Sequence, residues 1–264
     1  MFTTLSPPTR TVGEEGLRWA ERIERALRGE GVRTVFQPIV DLRAKAVVGY
    51  EALTRFADGS GRYLGPEEWF AAAHEFGAGA DLEATCLSLA LSHRSSLPEN
   101  CFLSLNVDPD ALRSPRVRHL LHDEGDLDGV VLEITEHRPW SWPMMASVVA
   151  ELRSAGARFA IDNAGTGQTG LRQLLDVRPD VLKLDRGLVE SIDSDEAKEA
   201  LVEMIELFSR RIGACVLAEG VETFEEAACL ISLGVPLAQG YLFGRPADPW
   251  LDMPTATKLQ LGSF

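Results

Sequence analysis

The run Ala157-Arg158-Phe159-Ala160-Ile161-Asp162-Asn163-Ala164-Gly165-Thr166-Gly167 decides the fold. A mostly apolar stretch leads into an acid and an amide, and a glycine turn follows directly. An acidic group at the last position of a buried strand, ahead of such a turn, stands where α/β proteins hold a metal or a phosphate. The same punctuation recurs along the chain. Glu51 follows Val47-Val48-Gly49-Tyr50, Asn106 follows Phe102-Leu103-Ser104-Leu105, and Glu133 closes Val130-Val131-Leu132. Lys183 closes Val181-Leu182, and Glu219 closes Cys215-Val216-Leu217-Ala218. Parallel strands of one barrel would bring all six groups to a single face.

Working outward from that run, short β-branched segments alternate with helical patterns. Strands are expected near 34–40, 46–52, 102–107, 129–134, 157–162, 180–184, 214–218 and 236–241. Helices are expected near 14–29, 66–76, 81–95, 143–155, 168–176, 194–212 and 223–233. Strand–helix alternation argues for a parallel sheet, and about eight strands argue for closure. The first two strands are separated only by Asp41-Leu42-Arg43-Ala44-Lys45, too short for a parallel crossover, so that pair should be an antiparallel hairpin. The expected fold is therefore a modified TIM (β/α)8 barrel with one antiparallel strand at its start. Residues 1–12 read as a flexible tail, and 13–264 as a single barrel domain that includes the helix near 14–29.

The bulk numbers narrow the function classes. Formal charge is 26 − 40 = −14, which disfavours wrapping a DNA or RNA polymer or docking on anionic lipid. An anionic small substrate would need cations supplied locally. Cys86, Cys101, Cys215 and Cys229 are scattered without a C-x-x-C pair, as expected of reduced, mostly buried thiols in a cytoplasmic protein. No 18-residue apolar stretch suits a membrane span, and Met1–Thr11 lacks the apolar segment of a secretion signal.

Glu51, Asn106, Glu133 and Asp162 supply the hard oxygen donors that Mg²⁺ or Mn²⁺ prefers. Any one of them alone would be a solvated strand end; their recurrence at successive strands is the signal. Arg55, four residues after Glu51, suits a phosphate fork. Lys183 sits inside an apolar run, where an ammonium is costly unless it meets an anion. Glu219 and Glu222 bracket Gly220-Val221, one free to face the mouth while the other braces the loop or caps the next helix. Three other features compete for attention. Gly165-Thr166-Gly167-Gln168-Thr169-Gly170 has the outline of a dinucleotide-binding turn with Asp185 beyond it, but it follows the fifth strand rather than the first. His119 and His122 are spaced i, i+3 in a charged helical stretch with no third ligand near, and read as surface residues. Trp140 and Trp142 between Pro139 and Pro143 could stack a base or simply cap the loop.

With these residues in place, the chain resembles the EAL family of cyclic di-GMP phosphodiesterases. Glu51-Ala52-Leu53-Thr54-Arg55 carries the signature that names the family. Gln37-Pro38-Ile39-Val40, Leu105-Asn106-Val107, Leu132-Glu133-Ile134-Thr135-Glu136 and Pro179-Asp180-Val181-Leu182-Lys183 match in order, as do Ala218-Glu219-Gly220-Val221-Glu222-Thr223 and Gln239-Gly240-Tyr241-Leu242-Phe243-Gly244-Arg245-Pro246. The resemblance implies a barrel with one antiparallel strand, a homodimer, and hydrolysis of cyclic di-GMP by two divalent cations, Mg²⁺ or Mn²⁺. It makes Glu51, Asn106, Glu133 and Asp162 ligands of the first metal, with Glu51 also counted in the catalytic set. Glu219 becomes a ligand of the second metal and the base for the attacking water, and Lys183 the group that holds the water or steadies the phosphorane. Arg55 is expected to grip a phosphate and Gln37 a guanine edge, with Leu53 and Gln239 lining the substrate site. Glu136 and Glu222 are expected to brace the loop after the fifth strand. One position departs from the family pattern: Asn163 stands where a second aspartate normally ligates the second metal. An amide oxygen can still coordinate but brings no charge. This leaves a second reading, a cyclic di-GMP receptor that binds without turnover.

Overall fold

A computed structural model of the chain describes residues 14–57, 59–134, 142–162 and 175–262. Its strands are β1 (Val32–Asp41), β2 (Ala46–Ala57), β3 (Tyr63–Leu64), β4 (Phe102–Val107) and β5 (Val130–Ile134), then β6 (Arg158–Ile161), β7 (Val181–Leu184), β8 (Cys215–Ala218) and β9 (Leu237–Gln239). The order is β1-β9-β8-β7-β6-β5-β4-β2, with β2 pairing back onto β1, so eight strands close a barrel and β3 hangs on the edge of β2. β1 runs antiparallel to both its neighbours, and the remaining pairs around the ring are parallel. The cause is local. Asp41 accepts hydrogen bonds from the backbone of Arg43 (2.8 Å) and Ala44 (2.7 Å), and Lys45 takes a left-handed φ of 56°, so the chain turns back at once.

The period of two along each strand then sorts the side chains. Ile39, Val131, Ala160, Val181 and Leu217 meet inside the barrel as an apolar floor. Two residues nearer the mouth on the same strands stand Gln37, Glu133, Asp162, Lys183 and Glu219; Gln37 precedes Ile39 because β1 runs the other way. Gly49 is required in this floor, since a Cβ there would lie 2.7 Å from the Phe102 ring. Residues of the opposite parity, such as Leu132, Phe159, Ile161 and Leu182, point outward into the helical layer and join the largest apolar cluster. β5 and β7 are buried along their whole length, as strands covered on both faces must be.

Helices α1 (Glu14–Leu27), α2 (Glu67–Glu75) and α3 (Gly79–Leu91) pack over β2 around Phe56, which stacks on Trp69 at 4.6 Å. The first expected helix thus ends two residues early, before Gly29 with its φ of 77°. Two helices outside the expected set follow β4: α4 (Pro109–Arg113) and α5 (Pro115–Asp123). Each opens on a side-chain cap followed by proline, Asp108-Pro109 and Ser114-Pro115. His119 and His122 lie exposed on α5. α6 (Trp142–Ser154) covers β5 and β6, with Trp142 packed partly against the core. Helices Glu196–Ile212 and Phe224–Ser232 flank β8. The expectation of mostly buried thiols needs correction: Cys86 is buried, Cys101 and Cys229 are partly exposed, and Cys215, the first residue of β8, is exposed because that strand begins at the lower rim. The tail at 1–12, the Gly165–Gly170 turn, Trp140 and most of the helix expected at 168–176 lie outside the described residues. Among the described residues no helix is long and apolar enough to cross a membrane.

Candidate active site

The polar layer above the floor is built around one ammonium. Lys183 is 2% exposed, and its Nζ donates to Glu133 Oε2 and to Glu219 Oε1 (2.6 Å), with Glu51 Oε1 at 3.6 Å. Ser104 donates to the other oxygen of Glu133. Glu51 accepts from Asn106 Nδ2 at 2.7 Å and from Gln239 Nε2 at 2.6 Å. Strand register explains the meeting: Asn106 pairs with Glu133 across β4 and β5, and Lys183 with Leu217 across β7 and β8. Asp162, at the end of β6, acts on Lys183 through its charge.

One ammonium facing three carboxylates leaves two formal negative charges uncompensated even before Asp162 is counted. The ionisation balance follows. Burial alone would lower the Lys183 pKa, but Glu133, Glu219, Glu51 and Asp162 drive it well above its ordinary value, so it stays charged. Burial pushes Glu133 up to about 8 against the pull of Lys183, with the like charges of Glu51 and Glu219 adding to it. Burial likewise raises Glu219 to about 7. Glu51 goes the other way: burial opposes its charge, but Lys183 and the hydrogen bonds from Asn106 and Gln239 outweigh it and lower its pKa.

A divalent cation suits this donor set. The groups are hard oxygens carrying excess negative charge, and the buried Oε1 of Gln239 has no hydrogen-bond partner among the described residues. As they stand, no three acidic, imidazole or thiol groups among those residues are gathered closely enough to chelate an ion. The reason is visible in the contacts: the glutamates are drawn onto the Lys183 ammonium.

A cleft of about 690 Å³ opens beside the cluster, lined by Glu51, Leu53, Arg55, Asn106 and Asp162 on one side and by α2 and α3 on the other. Arg55 is half-buried, and its Nη1 donates to Thr54 O at 2.9 Å. Gln37 is 8% exposed, and both ends of its amide are engaged, Nε2 donating to Gly244 O and Oε1 accepting from Gln239, each at 3.0 Å. It braces Gln239, which in turn holds Glu51. Glu222 lies 3.2 Å from Arg186 through its carboxylate. Asn163 and Glu136 fall outside the described residues.

Glu83, outside the set expected from the sequence, also lines the cleft. It sits on α3 at 7% exposure, accepts from the backbone N–H of Asp108 at 3.2 Å, and is pushed up to about 8 by burial. Its sequence signal is an acid set among Leu82, Ala84, Cys86 and Leu87, the side of the helix that is buried.

Comparison with known proteins agrees with this geometry. The family model of the EAL domain matches residues 20–246. PdeI of Escherichia coli K12, described as a probable cyclic di-GMP phosphodiesterase, is 30% identical over 251 residues, covering 88% of this chain and 31% of that protein. PdeF of the same organism, a cyclic di-GMP phosphodiesterase, is 28% identical over 241 residues, covering 88% of this chain and 32% of its own. The chain spans about a third of the length of these curated relatives. Among solved structures, BlrP1 of Klebsiella pneumoniae in its manganese and cyclic di-GMP complex is 32% identical with a TM-score of 0.72, over 83% of this chain and 56% of that one. With barrel, strand-end residues and family model in agreement over most of its length, the chain belongs to the EAL domain family.

Proposed function

We propose that this chain is a metal-dependent phosphodiesterase that opens cyclic di-GMP to linear pGpG. The observation that carries the reading is the buried cluster of Glu51, Glu133 and Glu219 around Lys183, open to a cleft at the mouth of the barrel. Glu51, Asn106, Glu133 and Asp162 would hold one Mg²⁺ or Mn²⁺, and Glu219 with Asn163 a second. Bound there, the two ions would lower the pKa of a water and neutralise charge on the phosphate and the leaving oxygen.

The residues of the chain do the rest. Glu219 is the cluster's partly open carboxylate, its side chain 25% exposed, and with its pKa near 7 it is suited to accept the proton of the attacking water. The water oxygen forms the new P–O bond, and the 3′ oxygen leaves with the electrons of the broken one and takes up a proton. Lys183, permanently charged, steadies the extra negative charge on the phosphoryl oxygens. Arg55 grips a phosphate on the cleft wall, Leu53 packs against the nucleotide, and Gln239 with Gln37 behind it fixes Glu51. Glu222 and Glu136 brace the loop after β6. The same reading makes the protein a cytoplasmic homodimer that takes a dinucleotide and no nucleic-acid polymer, with residues 13–264 acting as one catalytic domain.

Asn163 favours a second reading, a receptor that binds cyclic di-GMP without opening it. Chromatography of the products formed by purified protein in Mn²⁺ or Mg²⁺ separates the two. The phosphodiesterase yields pGpG in a metal-dependent course; a receptor returns cyclic di-GMP intact. Asn163→Asp sharpens the outcome. It should tighten the second metal by roughly 10- to 100-fold and raise activity most at low metal, whereas a gain from no turnover to clear turnover would identify the natural protein as a receptor.

A further inference from the structure

The outer half of the β1–β2 hairpin places two arginines directly opposite each other. Arg33 pairs with Arg55 in the antiparallel register, two steps beyond Val35 and Leu53 and four beyond Gln37 and Glu51. Opposed residues share a face, so the row that begins at the catalytic cluster ends in two guanidinium groups. Tyr63 of β3 pairs with Ala57, two residues after Arg55, and therefore stands on that face too. The Arg33 guanidinium lies over the Tyr63 ring at 4.2 Å from its centroid.

Like charges directly opposed on one face destabilise a strand pair. A chain with 40 acidic residues has ample means to neutralise them. Yet among the described residues neither Arg33 nor Arg55 forms an ion pair, and the Arg33 side chain makes no hydrogen bond. Burial lowers the Arg55 pKa, Glu51 and Tyr241 oppose this, and the Arg33 charge adds to the lowering. A guanidinium stacked by its face keeps its N–H edge for an anion in its own plane. Arg245 is held in the same manner over the exposed ring of Tyr241, at 3.9 Å.

We infer that Arg33, presented by Tyr63 opposite Arg55, extends the anion-binding track of the cleft outward and grips the phosphate of the dinucleotide that is not being cleaved. This rests on the phosphodiesterase reading of the same site. Arg33 is a binding residue on this account and touches no reacting atom.

Calorimetric titration with linear pGpG, repeated at several salt concentrations on the wild-type, Arg33→Gln, Arg33→Lys and Tyr63→Leu proteins, tests it. Arg33→Gln should weaken binding about 5- to 10-fold at low salt, the size of one charge-assisted contact, and make affinity less dependent on salt. Arg33→Lys should keep the wild-type salt dependence. If Arg33 only pins β3 through Tyr63, Arg33→Gln and Tyr63→Leu will lower the melting temperature alike and leave affinity and salt dependence as in the wild type, which overturns the inference alone. Wild-type protein that binds neither pGpG nor cyclic di-GMP overturns the phosphodiesterase reading and this inference with it.

Discussion

At the amino ends of the strands, Arg153 faces Asp180 at 3.5 Å with the two side chains 32% and 39% exposed, and Asp180 also accepts from the backbone of Phe159 at 2.8 Å. Arg158 beside them rests over the Phe102 ring at 5.1 Å. At the carboxyl ends Lys183, 2% exposed, faces three glutamates at once. On the lower rim Arg153 is matched by Asp180 in partial solvent, and the pair serves as attachment between β6, β7 and α6. Charge in the upper layer is buried and formally unbalanced, with more carboxylates than cations, a state that costs stability and that a bound cation would offset. The contrast locates function without reference to any family.

Breaking the upper layer should therefore have far larger effects than breaking the lower one. Glu219→Gln is expected to reduce turnover by about 10²- to 10⁴-fold, the usual range for a lost general base. Calorimetry on the same variant should still show cyclic di-GMP binding; loss of all binding would make Glu219 a structural residue.

Lys183→Met leaves the glutamates facing one another in a dry interior. Denaturant unfolding should show a loss of about 3–5 kcal/mol, as for other buried pairs deprived of one partner. The matching change on the lower rim, Arg153→Gln, should cost only about 1 kcal/mol, since exposed pairs contribute little. Equal losses at the two rims would erase the distinction drawn between them.

Glu83 sharpens the comparison through pH. Its carboxyl is raised from an ordinary value of 4.5 to about 8 in the folded protein because burial disfavours the charge. Between those values the folded state holds a proton that the unfolded chain has released, so Glu83 makes stability fall as pH rises through that window. Glu83→Gln should remove that fall, leaving the variant more stable than the wild type above pH 8 by about 1–3 kcal/mol and little changed near pH 4. Melting curves across the range check the sign.

Much of this layer was legible from the chain because strands buried on both faces read as apolar runs, and whatever interrupts such a run near its end must stand at the mouth of the barrel. Glu51, Glu133 and Lys183 were visible for that reason, and the antiparallel β1 followed from a connection too short to cross over. The features the chain does not display depend on tertiary placement or on short-range chemistry. The caps Asp108-Pro109 and Ser114-Pro115 announced α4 and α5, but their apolar pattern is too brief to reveal a helix by period. The contacts of Gln37 with Gly244 and Gln239 also come only with the fold, since they join residues about 200 positions apart. Arg33 gives no signal until the hairpin register sets it opposite Arg55.

The central claim is that the unbalanced carboxylates of the upper layer are kept for divalent cations needed in turnover. Its most direct test is hydrolysis of cyclic di-GMP by chelator-treated protein as Mn²⁺ is added back, followed by chromatography of the nucleotides. The expected course is no pGpG in chelator and a saturable rise with metal, abolished in Glu51→Ala. Equal turnover with and without metal, or metal-saturated protein that binds cyclic di-GMP and leaves it intact, would contradict the claim.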